Sequence, residues 1–156
     1  MIDIYIRPLE ENDAYVSVYW RNNPDIWKYT GSRPDNVVTI EMELNWIKNA
    51  IKRTNEKRFA ICIKENDQYI GNVQLTNINK TEGEFHIFIG ESDFWNQGIG
   101  TKATKLVLQY GFNKLKLSSI YLYVKENNQS AIKAYQNNGF NRVQLKDHFI
   151  KMIASV

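Results

Sequence analysis

The sequence predicts a mixed α/β fold, a sheet of about seven strands flanked by four helices, in a single domain spanning residues 1–156. Three observations carry this. The middle of the chain holds three short β-type runs joined by turns too short for crossovers, which reads as an antiparallel meander. A helical stripe of Ala103, Leu106, Val107 and Tyr110 then separates the last of these runs from an Ile/Val/Tyr-rich run at residues 119–124. That spacing allows a parallel pairing in the middle of the sheet. Finally, 156 residues is the length of one ordinary domain, long enough to bury a core without disulfides.

Each element follows from its local pattern. Ile2, Ile4 and Ile6 alternate with Asp3, Tyr5 and Arg7, a period-2 strand closed by Pro8. Residues 10–22 read as a helix with Tyr15, Val18 and Tyr19 on its apolar face, broken by Asn22, Asn23 and Pro24. A turn-rich piece follows through Gly31 and Pro34. Thr39 caps a second helix with the stripe Met42, Trp46, Ile47 and Ala50. The meander strands are residues 58–64, 69–78 and 84–89, with turns at Glu65-Asn66-Asp67 and residues 80–83. A third helix runs to about Leu115, and a fourth covers residues 128–138, capped by Asn127 or Asn128 and ended by Gly139. Strands at residues 140–145 and 148–154 finish the chain.

Composition narrows the function classes. Cys62 is the only cysteine and sits in an apolar run, so it reads as a small buried hydrophobe in a chain suited to a reducing compartment. The N-terminus lacks a basic stretch followed by a long apolar run, and no segment approaches about 18 uninterrupted apolar residues. A soluble, cytoplasmic protein without membrane association is expected. The net charge of +3 comes from Lys and Arg scattered among acids, which argues against a nucleic-acid partner. No metal is expected.

The strongest chemical signal is Gln97-Gly98-Ile99-Gly100-Thr101-Lys102, between a strand and a helix. Glycines let backbone approach a ligand, and the first turn of a helix offers unpaired N–H groups and a positive dipole end. Together they make an anion cradle suited to a pyrophosphate. On its own, Gly-x-Gly fits a tight turn at a helix start equally well. A Walker A loop would need Gly-Lys-Ser/Thr where this chain has Gly100-Thr101-Lys102, and a dinucleotide fingerprint would need a third glycine in an early β-α-β unit. The second signal is Asn128, Ala131 and Tyr135, at i, i+3 and i+7 on one helical face, followed by Gly139-Phe140. Taken singly, Asn128 reads as a cap and Tyr135 as a packed aromatic.

With both motifs in this order of elements, the chain resembles the GNAT superfamily of N-acetyltransferases, nearest the ribosomal-protein-alanine, polyamine and amino-sugar-nucleotide branch. The resemblance covers nearly the whole chain. The family's Gln/Arg-x-x-Gly-x-Gly/Ala loop reads Trp95-Asn96-Gln97-Gly98-Ile99-Gly100 here, and Asn-x-x-Ala-x-x-x-Tyr-x-x-x-Gly-Phe is matched in full from Asn128 to Phe140. Trp95 departs from the usual Gln/Arg, so that position brings no such side chain to the phosphates, although Gln97 can substitute in part. The short final hairpin implies an open acceptor site. The resemblance implies acetyl-CoA as co-substrate, held by the loop from Gln97 to Lys102, by Asn128 and Ala131, and by the strand edge at Phe88 and Ile89, where a backbone N–H would meet the oxyanion. It implies Tyr135 beside the CoA sulfur, where a phenol of pKa about 10 is a reasonable acid toward a thiolate. Glu84, sharing a strand face with His86 and Phe88, is the nominated base, acting through water, with an exposed strand-start carboxylate as the equal alternative. His86 lines the substrate cleft.

The acceptor is expected to be a small amine-bearing metabolite, with an amino-sugar nucleotide ahead of a polyamine and a protein N-terminus as a third option. Arg21, Lys28 and Arg33 would meet phosphates, and Trp27 or Tyr29 would stack on a sugar or base. Outside the enzyme class, the alternative is a non-catalytic CoA-binding regulatory module, which the retention of Tyr135 and both glycines opposes. A homodimer is compatible with the sequence.

Overall fold

The computed structural model describes residues 2–30 and 36–156, with the backbone alone for residues 28–30. Seven strands form one sheet: β1 (Ile4–Pro8), β2 (Lys57–Ile63), β3 (Tyr69–Thr76), β4 (Glu82–Ile89), β5 (Ser119–Lys125), β6 (Asn141–Lys146) and β7 (Phe149–Ser155). Their spatial order is β1-β2-β3-β4-β5-β7-β6. Only β4 and β5 run parallel, as the long helix between them allows. The helices are α1 (Ala14–Asn22), α2 (Pro24–Thr30), α3 (Ile40–Ala50), α4 (Ile99–Asn113) and α5 (Gln129–Asn137).

Five helices among the described residues, not four, is the main departure from the expected pattern. Pro24 opens α2 where it was expected only to break α1. Proline lacks just the N–H that a first helical position leaves unpaired, and Asn23 Oδ1 accepts from Asp25 N at 3.0 Å. The helix faces also turn differently. In α1, Tyr15 and Tyr19 are exposed, and Ala14, Ser17 and Trp20 face inward. In α3, Met42 and Trp46 are exposed, and Glu43, Ile47 and Ala50 face inward. A pattern search by hydrophobicity cannot see this, because Ser17 and Glu43 occupy the buried faces and satisfy each other: Ser17 Oγ donates to Glu43 Oε2 at 2.7 Å. Thr39 caps α3 as expected, accepting from Met42 N.

Two apolar clusters cover the two sheet faces. On one face α4 and α5 pack over Phe59, Ile61, Val73, Leu75, Phe85, Ile120 and Leu122. On the other, α1 to α3 pack over Ala60, Cys62, Tyr69 and Phe88, confirming Cys62 as a buried, unpaired thiol. Trp20 anchors this second layer, 4.8 Å from Tyr69 and 5.8 Å from Phe88 between ring centroids, with its Nε1 donating to Glu91 Oε1 at 2.9 Å. Its ring lies so close to Gly90 that a Cβ there would fall 2.0 Å from it. Gly90→Ala is therefore expected to destabilise the fold by roughly 1–3 kcal/mol through overpacking, measurable as a shift of the urea midpoint at unchanged slope.

β4 and β5 pair only at Glu82↔Ser119, Gly83↔Ile120 and Glu84↔Tyr121. Beyond Glu84, β4 runs to Ile89 and β5 to Lys125 without pairing to each other. A V-shaped gap thus opens in mid-sheet and connects its two faces.

Candidate active site

On the α4/α5 face, a groove of about 810 Å³ runs from the Trp95–Thr101 segment past Ile87 and Ile89 to Asn128, Ala131 and Tyr135. The two sequence motifs therefore converge, although some thirty residues part them. Asn138 helps hold them together, donating from Nδ2 to Thr101 O at 3.2 Å. Asn138, Phe94, Ser130 and Ala134 were not anticipated from sequence, and the last two are visible only as further small residues along the face of α5.

The start of α4 has the form an anion needs. Gly98 is in the left-handed region (φ 78°), and Lys102 N makes the first helical bond, to Gly98 O at 3.2 Å. The N–H groups of Ile99, Gly100 and Thr101 precede that bond and lack i−4 partners, at the positive end of a 15-residue helix. A Cβ built on Gly98 meets nothing within 4 Å, and one on Gly100 meets only Ile87 Cδ1, at 4.0 Å. This donor set and open backbone fit a pyrophosphate. Lys102, however, is turned away from the cradle: its Nζ donates to Ile2 O and lies 3.8 Å from Asp3 Oδ1. Gln97 is exposed, with Nε2 donating to Asp93 O at 2.6 Å.

The gap edge of β4 belongs to Ile87 and Ile89. Gly90 N donates to Ile70 O at 2.8 Å, so ladder alternation turns the N–H of Phe88 to β3 and those of Ile87 and Ile89 to the gap. Phe88 is thereby corrected as a cofactor contact. Its ring packs on Trp20, on the opposite face from the groove. Trp95 sends its indole N–H to Ile89 O at 2.9 Å, so it braces the end of β4 instead of replacing the family's Gln/Arg at the phosphates.

Tyr135 sits on α5 with its ring edge-on to Phe85 (6.1 Å) and Phe140 (5.8 Å). Burial pushes its phenol pKa above the ordinary value, so the hydroxyl stays protonated at neutral pH. Asn128 caps α5, its Oδ1 accepting from Ala131 N at 3.3 Å.

Glu84 lies on the other face, at the last paired position before the gap. His86 Nε2 is 3.2 Å from Glu84 Oε2, and Asn77 Nδ2 donates to Glu84 Oε1 at 3.0 Å. Gln74 Oε1, opposite His86 across the ladder, is buried without a hydrogen-bond partner. Burial and the nearby Glu84 carboxylate raise the pKa of Tyr121. The expected acceptor residues fare unevenly. Arg21 is ion-paired to buried Glu43 at 3.3 Å, so it is not an uncommitted cation. Trp27 is half-buried in α2. The side chains of Lys28 and Tyr29, and all of Arg33, lie outside the described residues.

A helix start whose unpaired N–H groups suit a pyrophosphate, a split mid-sheet edge and a phenol beside it fit an acyl-CoA transferase. A family model described as an acetyltransferase (GNAT) domain matches residues 3–141, and the chain belongs to that family, the acetyl-CoA-dependent N-acetyltransferases of amines. It is 30% identical over 139 residues to the spermidine N(1)-acetyltransferase of Escherichia coli K12, spanning 88% of this chain and 73% of that protein. It is also 30% identical over 121 residues to the acetyltransferase PseH of Campylobacter jejuni, spanning 78% and 72%. The chain spans only 28% of the length of a Methanocaldococcus jannaschii relative, at 27% identity. Among solved structures, a Vibrio cholerae spermidine N-acetyltransferase in complex with CoA and spermine shares the fold with a TM-score of 0.83 at 24% identity, over 97% of this chain and 95% of that one. No helix among the described residues is long and apolar enough to cross a membrane.

Proposed function

We propose that this chain moves the acetyl group of acetyl-CoA to the primary amine of a small metabolite by direct attack, with an amino-sugar nucleotide as the acceptor. The observation that carries the reading is the gap between β4 and β5, with Tyr135 on one face and Glu84 on the other. Only through that opening can both residues act on one carbonyl carbon. Acetyl-CoA supplies an activated thioester. Ile99, Gly100 and Thr101 offer N–H groups to its pyrophosphate, and the gap-facing N–H groups of Ile87 and Ile89 suit its amides and the carbonyl oxygen. Glu84, oriented by Asn77 and next to His86, removes a proton from the amine. As the C–N bond forms and the C–S bond breaks, Tyr135 gives its proton to the sulfur. Incubation with acetyl-CoA and a panel of amines, followed by assay of free thiol, tests this. Failure of every amine to release thiol would leave the non-catalytic CoA-binding module standing.

A polyamine acceptor is the second reading. It is favoured by the Arg21–Glu43 pair, which removes one of the cations expected to meet phosphates, and by the name of the E. coli relative. The C. jejuni relative, an acetyltransferase, does not decide between them.

Glu84→Gln is expected to cut turnover near neutral pH and to recover it as pH rises toward the amine pKa, about 10 for an alkyl ammonium. There the neutral amine is present without a base. A pH–rate profile of the variant reads this directly, and an equal loss at every pH would assign Glu84 to positioning.

A further inference from the structure

The face of β5 and β7 that carries Tyr121, Tyr123 and Lys151 borders the gap on the Glu84 side. Tyr121 pairs with Glu84 at the vertex, and Tyr123 lies one ladder step beyond it, as His86 does on β4. Tyr123 is 52% exposed, so no element among the described residues covers its side chain. The two phenol rings stand edge to face, 5.9 Å apart at 79°. Lys151, opposite Tyr123 on β7, sets its Nζ 4.9 Å from the Tyr121 ring centroid and 6.0 Å from that of Tyr123.

A cation thus already occupies the aromatic pair. Rings that would attract a second ammonium of a polyamine are engaged by the protein's own, and no carboxylate among the described residues pairs with Lys151. The β4 side of the vertex carries the Glu84 carboxylate, with Glu82 two residues before it on the same face in the paired stretch. The face is therefore divided: a carboxylate at the vertex on β4 and, on β7, an ammonium with no carboxylate within ion-pair distance among the described residues. A ligand laid across it finds complementary charge at both ends only if it is itself divided, with an amine at one end and an anion at the other. Between them, Tyr123, farther from the Lys151 ammonium than Tyr121 and half exposed, keeps accessible surface for an uncharged sugar or base.

We infer that Lys151 is a specificity-determining residue, which selects an acceptor carrying a diphosphate beyond its amine and disfavours polyamines. The inference rests on the acetyl-transfer reading above and names the acceptor class that Arg21 can no longer support. It takes the diphosphate of a nucleotide-linked amino sugar as the anion, because a flat aromatic surface lies directly beside the ammonium.

The test uses binding as well as turnover, so that the two readings can fail separately. The whole chain, saturated with CoA to block the cofactor groove, is titrated calorimetrically with UDP and with spermidine, as wild type, Lys151→Gln and Lys151→Glu. Lys151 is half-buried on a strand face outside the apolar core, and melting temperatures verify that the variants fold. Wild type is expected to bind UDP more tightly than spermidine. Lys151→Gln should weaken UDP about tenfold, the scale of one charge contact near a surface, and Lys151→Glu should weaken it further while tightening spermidine about tenfold. The ratio of kcat/KM for a UDP-linked amino sugar to that for spermidine should fall in the same order. No UDP binding by wild type, or a UDP affinity in folded Lys151→Glu within twofold of wild type, overturns the role of Lys151. Absence of acetyl transfer to any amine overturns the enzymatic reading instead, whatever the titrations show.

Discussion

Tyr135→Phe is expected to lower kcat by about 10²-fold while leaving acetyl-CoA affinity within twofold. The loss corresponds to about 2.7 kcal/mol of transition-state stabilisation, inside the range of a general acid. The separation of the two readouts follows from the geometry. The Tyr135 ring is held by Phe85 and Phe140, and phenylalanine keeps those contacts, so the groove wall is unchanged. Only the hydroxyl goes, and in the proposed mechanism its proton is needed when negative charge develops on the leaving sulfur, not when the thioester binds. Its pKa also fixes the pH dependence. Burial raises it above the ordinary phenol value, so the acid form persists through neutral pH and its contribution is lost only as pH rises through that elevated value. Wild-type turnover should therefore show no descending limb from this group below about pH 10. Stopped turnover with unchanged calorimetric affinity would support the role, and full turnover in the variant would reduce Tyr135 to packing.

Much of this architecture is legible in the sequence because its signals are local. Turn residues and alternation mark the meander, Asn128 and Gly139 bracket α5, and glycines mark the start of α4. The final hairpin is tight for a local reason too: Asp147 and His148 both take positive φ, the backbone of a two-residue turn matched to strand twist. What escaped is what tertiary contacts decide. The inward rotation of α1 and α3 depends on a Ser17–Glu43 bond across 26 positions, and a buried carboxylate looks like a surface residue until its partner is known. Phe88 and Ile89 are adjacent in sequence and equally apolar, yet only the ladder register says which one meets the groove. Lys102 reads as a phosphate ligand by proximity to the glycines, but Ile2 and Asp3, just before β1, claim its ammonium. Lys151 carried no motif at all, because its significance lies in two tyrosines on the neighbouring strand.

Gly100→Val is expected to weaken acetyl-CoA binding by about 10²- to 10³-fold without destabilising the protein. The two halves of that expectation have separate causes. A Cβ at Gly100 has room, since its nearest neighbour is Ile87 Cδ1 at 4.0 Å, and glycine inside a helix is itself a stability cost of roughly 0.5–1 kcal/mol. The substitution should therefore leave the melting temperature level or slightly raised. The branched side chain would occupy the space in front of the Ile99, Gly100 and Thr101 N–H groups, where the proposed cradle receives the pyrophosphate. Hydrogen bonds to a charged group contribute about 1.5–3 kcal/mol each, so the loss of one or two gives the stated range. Gly98 is a poorer site for this experiment. At φ 78° any side chain there adds backbone strain of about 1–2 kcal/mol, and a weakened binder could simply be a weakened fold. Calorimetry and thermal denaturation of Gly100→Val read the two effects independently. Wild-type affinity in a variant that melts normally would mean that the helix start is only a turn, and that the pyrophosphate is held elsewhere along the groove.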